Sequence, residues 1–353
     1  MVAIRHVAER AGVSKMSVSR VLNDNRPVLE DTRRRVLKAM AELEYTPNAS
    51  ARSLKRGHTK LIGVLIPNTD NPIYAVYFDG IKDTAYCLGY SVLLYKTSTN
   101  AAIDAAGLRL LLEHRVTGLI LTSGEGHVPG MVRAGHAVVC IDWKVRGYDR
   151  VTLDNAQAME LAVRHLVSLG HREIGIVSGP LFAPSESERL VGYRRAMRRH
   201  GLAVQRRLQY IATGFRDDDG VAVGERILSS SHRPSALVVS STALTPGVLV
   251  AVSAAGLSIP DDLALVGVGE MSWSPLLISP ITSLVEPAYD MGAEACRMVL
   301  ERVASGYVGP PRTRAYPAHL AVRLSCGAPP EMRDSPLAST HSLLFSAVAR
   351  ART

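Results

Sequence analysis

The sequence predicts an all-α helix-turn-helix head followed by an α/β body of two doubly wound parallel-sheet subdomains. Three observations lead there. Residues 4–26, IRHVAERAGVSKMSVSRVLNDNR, carry helical apolar spacing broken once, at Gly12. From Leu61 onward, continuous apolar runs of strand length alternate with helical stretches, the pattern of strands covered by helices on both faces. That alternation lasts for about 260 residues, more than one core of ordinary size accommodates, so two subdomains are expected.

In the head, Ile4, Val7, Ala8 and Ala11 form a first apolar face. Ser14 can cap a second helix whose Val18, Val21 and Leu22 lie at helical spacing. That leaves Lys15, Met16, Ser17, Ser19 and Arg20 facing outward. Two short helices, a glycine turn and a second helix studded with donors make a helix-turn-helix. Asn23 to Pro27 read as a polar loop. A third helix, Thr32 to Leu43, puts Val36, Leu37, Met40 and Leu43 on one face and closes a small core, with Asp31 or Thr32 as its cap.

Charge points the same way. Residues 1–60 hold 13 Lys and Arg against 6 Asp and Glu, a net of +7 out of the whole chain's +9. The basic surface therefore belongs to the head, where a polyanion would bind. Lys15 and Arg20 can reach guanine O6 and N7 in a major groove, and Met16 offers apolar contact. Ser14, Ser17, Ser19, Asn23, Thr32, Tyr45 and Asn48 read as phosphate positioners, which carry no sequence information.

Residues 45–60, YTPNASARSLKRGHTK, are too polar to fold alone. Pro47 and Asn48 signal a helix start, and about two turns could follow through Leu54, with Arg52, Lys55 and Arg56 on them. So short a helix is marginal in water, and by composition alone the stretch reads as a flexible basic linker.

In the body, strands are expected at 61–67, 91–95, 118–123, 137–142, 173–179, 210–213, 236–240 and 263–269. Helices are expected at 75–88, 102–114, 155–169, 187–200, 218–230 and 246–255. Ligands of such sheets sit at the carboxyl ends of the strands. The candidate loops are therefore Asn68 to Tyr74, Asp142 to Trp143, Ser178 to Arg189, Ser240 to Thr242 and Gly269 to Trp273. Residues 328–353 read as a disordered tail, and without a heptad repeat there the default assembly is a dimer.

Several classes are disfavoured. Residues 235–260 carry no charge, but Pro246, Gly247 and their hydroxyl residues make a buried strand and helix the better reading than a membrane span. No signal-peptide core is visible, so a cytoplasmic protein without membrane association is expected. Cys87, Cys140, Cys296 and Cys326 are far apart, in no metal spacing, and read as reduced thiols. No GxGxxG follows a strand, no metal spacing appears among the eleven histidines, and Ser178-Gly179 lacks a nucleophile elbow. No enzymatic activity, catalytic residue, cofactor or metal is expected. The rivals from other classes are an enzyme with an accessory basic domain and a metabolite-binding transport protein.

The run VSKMSVSRVLN, with Thr32-Arg33 and YTPNASARSL, resembles the DNA-binding head of the LacI/GalR family of bacterial transcription regulators. The likeness extends to about residue 330. It implies a homodimeric, effector-responsive regulator, a repressor of a palindromic operator, associated with the bacterial nucleoid. It implies a head at 1–44, a hinge helix and linker at 45–60, and an effector and dimerisation domain at 61–327. That domain would be similar to periplasmic sugar-binding proteins, with crossovers near 160, 288 and 320. Family base-contact positions coincide with Lys15, Met16 and Arg20. The hinge helix would pair with its mate in the minor groove through Ala51 and Leu54, Leu54 acting as a wedge.

For the effector, the resemblance implies an Arg at 189 that binds ligand oxygens, with Ser185 and Phe215 at pocket positions. Asn71, Ile73 and Tyr74 would make first-loop contacts, and Asp142 would accept from a hydroxyl. The chain departs from the family at Ser241-Thr242 and Gly269-Glu270, where relatives carry carboxylates. Ser241 and Glu270 are retained as candidates. The effector expected is a sugar, a sugar acid or a related metabolite; with two carboxylates gone a neutral polyol is less well served, and with Arg189 kept an anionic ligand such as a sugar acid is a working hypothesis.

Overall fold

The computed structural model describes residues 2–23, 27–45, 59–67, 71–97, 101–122, 136–304, 306 and 309–334, less the side chains of Asn23 and residues 101–104. The expected roles of Asn48, Ala51 and Leu54 fall outside these residues. The chain divides into two units, Met1–Thr59 and Lys60–Thr353.

The first unit is three helices, α1 (Ile4–Ala11), α2 (Lys15–Asn23) and α3 (Glu30–Glu42). Gly12 ends α1 in the left-handed region, φ 62°, and its neighbour Val13 returns a hydrogen bond to Ala8 O at 3.0 Å. Ser14 caps α2, its Oγ accepting from Ser17 N at 3.1 Å. The small core is Val7, Ala8, Ala11, Val18, Val21, Val36 and Ala39. Leu37 is not in it: the side chain is 51% exposed, and Ala39 takes the inner position. Nor do Asp31 or Thr32 cap α3. The helix begins at Glu30 behind Leu29, which has no acceptor to offer, and Asp31 instead pairs with Arg34 at 2.7 Å.

The second unit holds two six-stranded sheets. The first is built from β1 (Leu61–Ile66), β2 (Ser91–Lys96), β3 (Gly118–Leu121), β4 (Ala137–Ile141), β5 (Asp149–Leu153) and β11 (Thr313–Tyr316), in the order β11-β5-β4-β3-β1-β2. The second uses β6 (Ile174–Ser178), β7 (Gln209–Ile211), β8 (Ala236–Val239), β9 (Ala264–Val268), β10 (Thr282–Val285) and β12 (His319–Ala321), in the order β12-β10-β9-β8-β6-β7. All pairings are parallel except β10 with β12. Both sheets thus repeat one winding, which reverses direction between β1 and β3 and between β6 and β8.

Helices α4 (Pro72–Cys87) and α5 (Ala101–Glu113) connect strands of the first sheet. Helices α6 (Asn155–Ser168), α7 (Pro184–Arg199), α8 (Asp217–Leu228) and α9 (Thr245–Ala254) serve the second. Helix α10 (Ala288–Ala304) follows β10 but packs in the core of the first sheet. It lies so close to α4 that a Cβ on Gly292 would stand 2.1 Å from Tyr77 O, and one on Gly80 the same distance from Tyr289 O. The chain therefore changes sheets after β5, after β10 and between β11 and β12. The return into β11 is held by buried Asp149, which accepts from Arg302 Nε at 2.7 Å and from Arg312 N at 2.8 Å.

Strands β5, β10, β11 and β12 were not expected; each is short, and β11 is largely exposed. The body also runs past residue 327. Ala328 is buried, and Asp334 exchanges hydrogen bonds of 2.8 Å with the backbone of Val322; the rest of the expected tail, from 335 on, lies outside the described residues. Cys140, Cys296 and Cys326 are buried and free, while Cys87 is free and exposed. No helix among the described residues is long and apolar enough to cross a membrane.

Candidate functional site

On the head, Lys15, Met16 and Arg20 are exposed along one side of α2, Met16 at 63%. Arg20 lies one turn beyond Met16 and approaches its sulfur at 3.3 Å, so the two form one side-chain surface. Ser17 and Ser19 are half-buried beside them, and Ser14 and Ser17 share a hydroxyl contact of 3.0 Å. Thr32 is half-buried at the start of α3. Tyr45 packs under the core with its own N bonded to Met40 O at 2.9 Å, which leaves its ring part of the head's scaffold. A helix with its donor-bearing face outward and its apolar face fixed by α1 and α3 is built to enter a groove.

In the second unit, the carboxyl ends of the two sheets supply one buried polar cluster. Its hub is Arg189, on α7. The Nε donates to Asn155 Oδ1 at 2.8 Å, one Nη to Ser240 O at 2.7 Å and Glu186 Oε1 at 3.3 Å, and the other Nη to Glu286 Oε1 at 2.7 Å. Glu186 accepts from Gly179 N at 2.9 Å, from Ser178 Oγ at 3.2 Å and from Ser240 Oγ. Ser178 ends β6 and Gly179 follows it, while Ser240 follows β8. Glu186 therefore closes the very gap where the winding of the second sheet reverses, the place such folds reserve for ligands.

From the first sheet's side, Tyr77 Oη reaches Asp142 Oδ2 at 2.8 Å and Glu286 Oε2 at 3.3 Å. Asp142 sits at φ 59°, its Oδ1 accepting from Leu153 N and Thr152 Oγ at 3.2 Å. A second link crosses beside this one: Arg150 holds Glu188 through both Nη atoms at 3.0 and 3.1 Å, and Glu188 accepts from Asn155 at 2.8 Å.

Electrostatics follow from the crowding. Burial pushes the Glu286 carboxyl up to about 7, Arg189 countering only part of it and Asp142 adding to it. Burial alone would lower Arg189, but Glu286, Glu186 and Asp142 outweigh it and hold the guanidinium above its ordinary value. Tyr77 is kept well above its ordinary value by burial and by Asp142 and Glu286.

The expected ligand residues fare unevenly. Asp142 and Arg189 are at the centre. Tyr74 flanks them, its ring 6.3 Å from that of Tyr77. Asn71 is spent on capping α4, its Oδ1 accepting from Ile73 N at 3.2 Å, and Ile73 packs into the core of the first sheet. Phe215 stands edge-on to Phe182 at 6.4 Å and against Gly179. Ser185 is half-buried in the first turn of α7, and Ser241 is buried with its carbonyl accepting from Thr245 Oγ at 3.2 Å.

One reading is corrected: Glu270 is not in the cluster, because both its oxygens accept from Arg323 at 2.9 Å. Arg189 is placed where the resemblance implies, but it is engaged within the protein: its three nitrogens make four hydrogen bonds, four of the five that a guanidinium can donate. Tyr77, Asn155, Glu186 and Glu286 were missed. Glu286 follows β10, a strand as long as β3 and β8 but with Thr and Ser at two of its four positions, so it lacks their continuous apolar run; Glu186 lies within the expected loop 178–189, where its type alone did not single it out.

Comparison with known proteins bears on the family and the fold. The description "Bacterial regulatory proteins, lacI family" matches residues 3–48, and "Periplasmic binding protein-like domain" matches residues 163–326. The HTH-type transcriptional repressor PurR of Proteus mirabilis (strain HI4320) is 33% identical over 313 residues, 86% of this chain and 91% of that protein. The PurR repressor of Escherichia coli O1:K1 / APEC is 32% identical over 325 residues, 90% of this chain and 95% of its own. Among solved structures, the lac repressor dimer bound to operator and the anti-inducer ONPF superposes with a TM-score of 0.83 at 26% identity, over 93% of this chain and 99% of that one. The CelR–cellobiose complex gives 0.70 at 27% identity, over 92% of this chain and 100% of that one.

Proposed function

Since the chain belongs to the LacI family of bacterial regulatory proteins, we infer that it is a transcriptional repressor that binds operator DNA as a homodimer, under the control of a small molecule taken into the cleft of its α/β body. It is a DNA-binding regulator and not an enzyme. A single feature carries the reading: the outward face of Lys15, Met16 and Arg20 on a capped second helix, in an N-terminal stretch of 60 residues that carries +7 of the chain's net +9. On this reading Lys15, Met16 and Arg20 read bases, while Ser14, Ser17, Ser19, Asn23, Thr32, Tyr45 and Asn48 hold phosphates. Ala51 and Leu54, in a hinge at 45–60, reach the minor groove.

Asp142, Arg189 and Tyr74, with Glu186, Glu286 and Tyr77, form the effector end of the device. The buried cluster joins residues of both sheets, so a ligand there shifts the balance between cleft states only by its difference in affinity for them. That shift reaches the hinge, where a marginal helix needs little to form or melt. A repressor of this kind works in the cytoplasm, and association with the nucleoid follows from operator binding.

The test is to select bound fragments from random DNA with the purified protein, then to titrate metabolites against the winning duplex. One palindromic sequence should emerge, and a small molecule should change its affinity. No preference for any duplex over bulk competitor, with or without small molecules, overturns the reading.

A further inference from the structure

We propose that Glu286 makes this cleft select effectors that carry an ammonium group alongside hydroxyls, and reject effectors that carry a carboxylate or phosphate. The proposal rests on the cluster being the effector site. It begins with a count of charges. Around Arg189 stand three carboxylates, Asp142, Glu186 and Glu286, and two of them touch the guanidinium directly. Arg150, the nearest other cation of the network, is held by Glu188 through both Nη atoms. An incoming anion would meet an arginine already neutralised. To pair with it through two oxygens, the anion must displace a buried carboxylate and leave that group facing Asp142, because four of the five N–H groups are already taken.

A count of protons leads to the same end. Asp142 Oδ2, Tyr77 Oη and Glu286 Oε2 lie in a row, 2.8 and 3.3 Å apart, with one hydroxyl hydrogen to share. With Tyr77 donating to Asp142, the contact between Tyr77 and Glu286 is favourable when Glu286 brings a proton of its own. The raised pKa of Glu286 fits that arrangement. The cluster thus stores a proton where a ligand cation would serve as well. An ammonium group entering beside Glu286 expels the proton and takes up the carboxylate; an anion would have to bring a further proton in.

The experiment uses two matched series on the full-length protein: ethanolammonium, ethylene glycol and glycolate, and glucosamine, glucose and glucuronate. Each is titrated calorimetrically at pH 7 in two buffers of different ionisation heat, against wild type and Glu286→Gln. In at least one series, the ammonium member should bind wild type about tenfold or more tighter than the carboxylate member. Its binding should release about half a proton, the share that Glu286 holds near its midpoint.

Glu286→Gln should lose both the preference and the proton release, and Glu286→Asp should restore part of each. Tighter binding of a carboxylate or neutral member, no binding in either series, or an unchanged preference in Glu286→Gln overturns the proposal. Operator affinity measured in parallel separates the two levels. Ammonium binding that leaves operator affinity untouched preserves the charge selection and removes the effector reading. Operator affinity moved by glucose or glucuronate alone does the reverse.

Discussion

Replacing Glu286 by Gln should stabilise the protein above neutral pH, although it removes one partner of a buried ion pair. A glutamate raised from 4.5 to about 7 keeps, in the folded state, a proton that the unfolded chain has released by then. Its contribution is whole below pH 4.5 and is lost as pH rises through 7. At about 1.36 kcal/mol per pH unit, the ceiling on that loss is about 3 kcal/mol. Near pH 5 only a small part of it is gone, and by pH 8 nearly all of it.

Gln cannot ionise, and it leaves Arg189 bonded to Asn155, Glu186 and Ser240 O. The gain of Glu286→Gln over wild type should therefore grow by about 2–3 kcal/mol between pH 5 and pH 8. Urea titration measures it, and both tryptophans, Trp143 and Trp273, lie in the body, so intrinsic fluorescence follows the unit that holds the cluster. A gap that does not change with pH, or a variant less stable than wild type at pH 8, refutes the assignment of the proton to Glu286.

Further outcomes follow from the same contacts. Arg20→Ala should cost about 1–3 kcal/mol on the selected operator and relax the choice at one base pair, and an equal loss on random DNA would show that Arg20 only meets phosphate. Ser14→Ala removes the acceptor for Ser17 N and should cost the head about 1 kcal/mol, seen as a lower melting temperature of its helical circular-dichroism signal. Arg189→Met leaves Glu186 and Glu286 buried without their cation, a loss of about 3–5 kcal/mol by urea titration that should shrink toward pH 5 as Glu286 takes its proton. Gly292→Ala forces α4 and α10 apart against the carbonyl of Tyr77 and should cost about 1–3 kcal/mol; a change below about 0.5 kcal/mol would mean the helices slide freely.

What could be read ahead of the structure was whatever repeats along the chain. Strands β1, β4, β6, β8 and β9 are continuous apolar runs buried on both faces, so their composition alone marks them. Strand β5, Asp-Arg-Val-Thr-Leu, is as buried as they are but pairs its polar residues with distant ones: Asp149 with Arg302 and Arg312, Arg150 with Glu188. Nothing local signals those partners. In the head, α1 and α2 follow their spacing. The face of α3 was misjudged at Leu37, because a core this small has room for Ala39 and none for a further leucine. The site divides along the same line. Arg189 and Asp142 were visible because they follow strands that could be read. Glu286 was not, because its strand could not, and no rule of spacing announces that an arginine will be neutralised from 97 residues away.

The missing carboxylates and the unforeseen one belong together. The turn after β9 carries Gly269, at φ 85°, where the family resemblance leads one to expect an acid, and Thr242 Oγ closes over it onto Val268 O at 2.7 Å. Strand β10 is the neighbour of β9 in the sheet, and Gly269 N donates to Leu284 O at 2.9 Å, two residues before Glu286. Of the two acids that the resemblance leads one to expect after β8 and β9, one is thus balanced by an acid just beyond the end of β10, and that acid pairs with Arg189. A ligand that met an open arginine and an aspartate in such a cleft would here meet a closed ion pair and a shared proton. A carboxylate carried beyond β10 instead of β9 stands one strand spacing away, about 4.8 Å, and from there Glu286 reaches Arg189 at 2.7 Å.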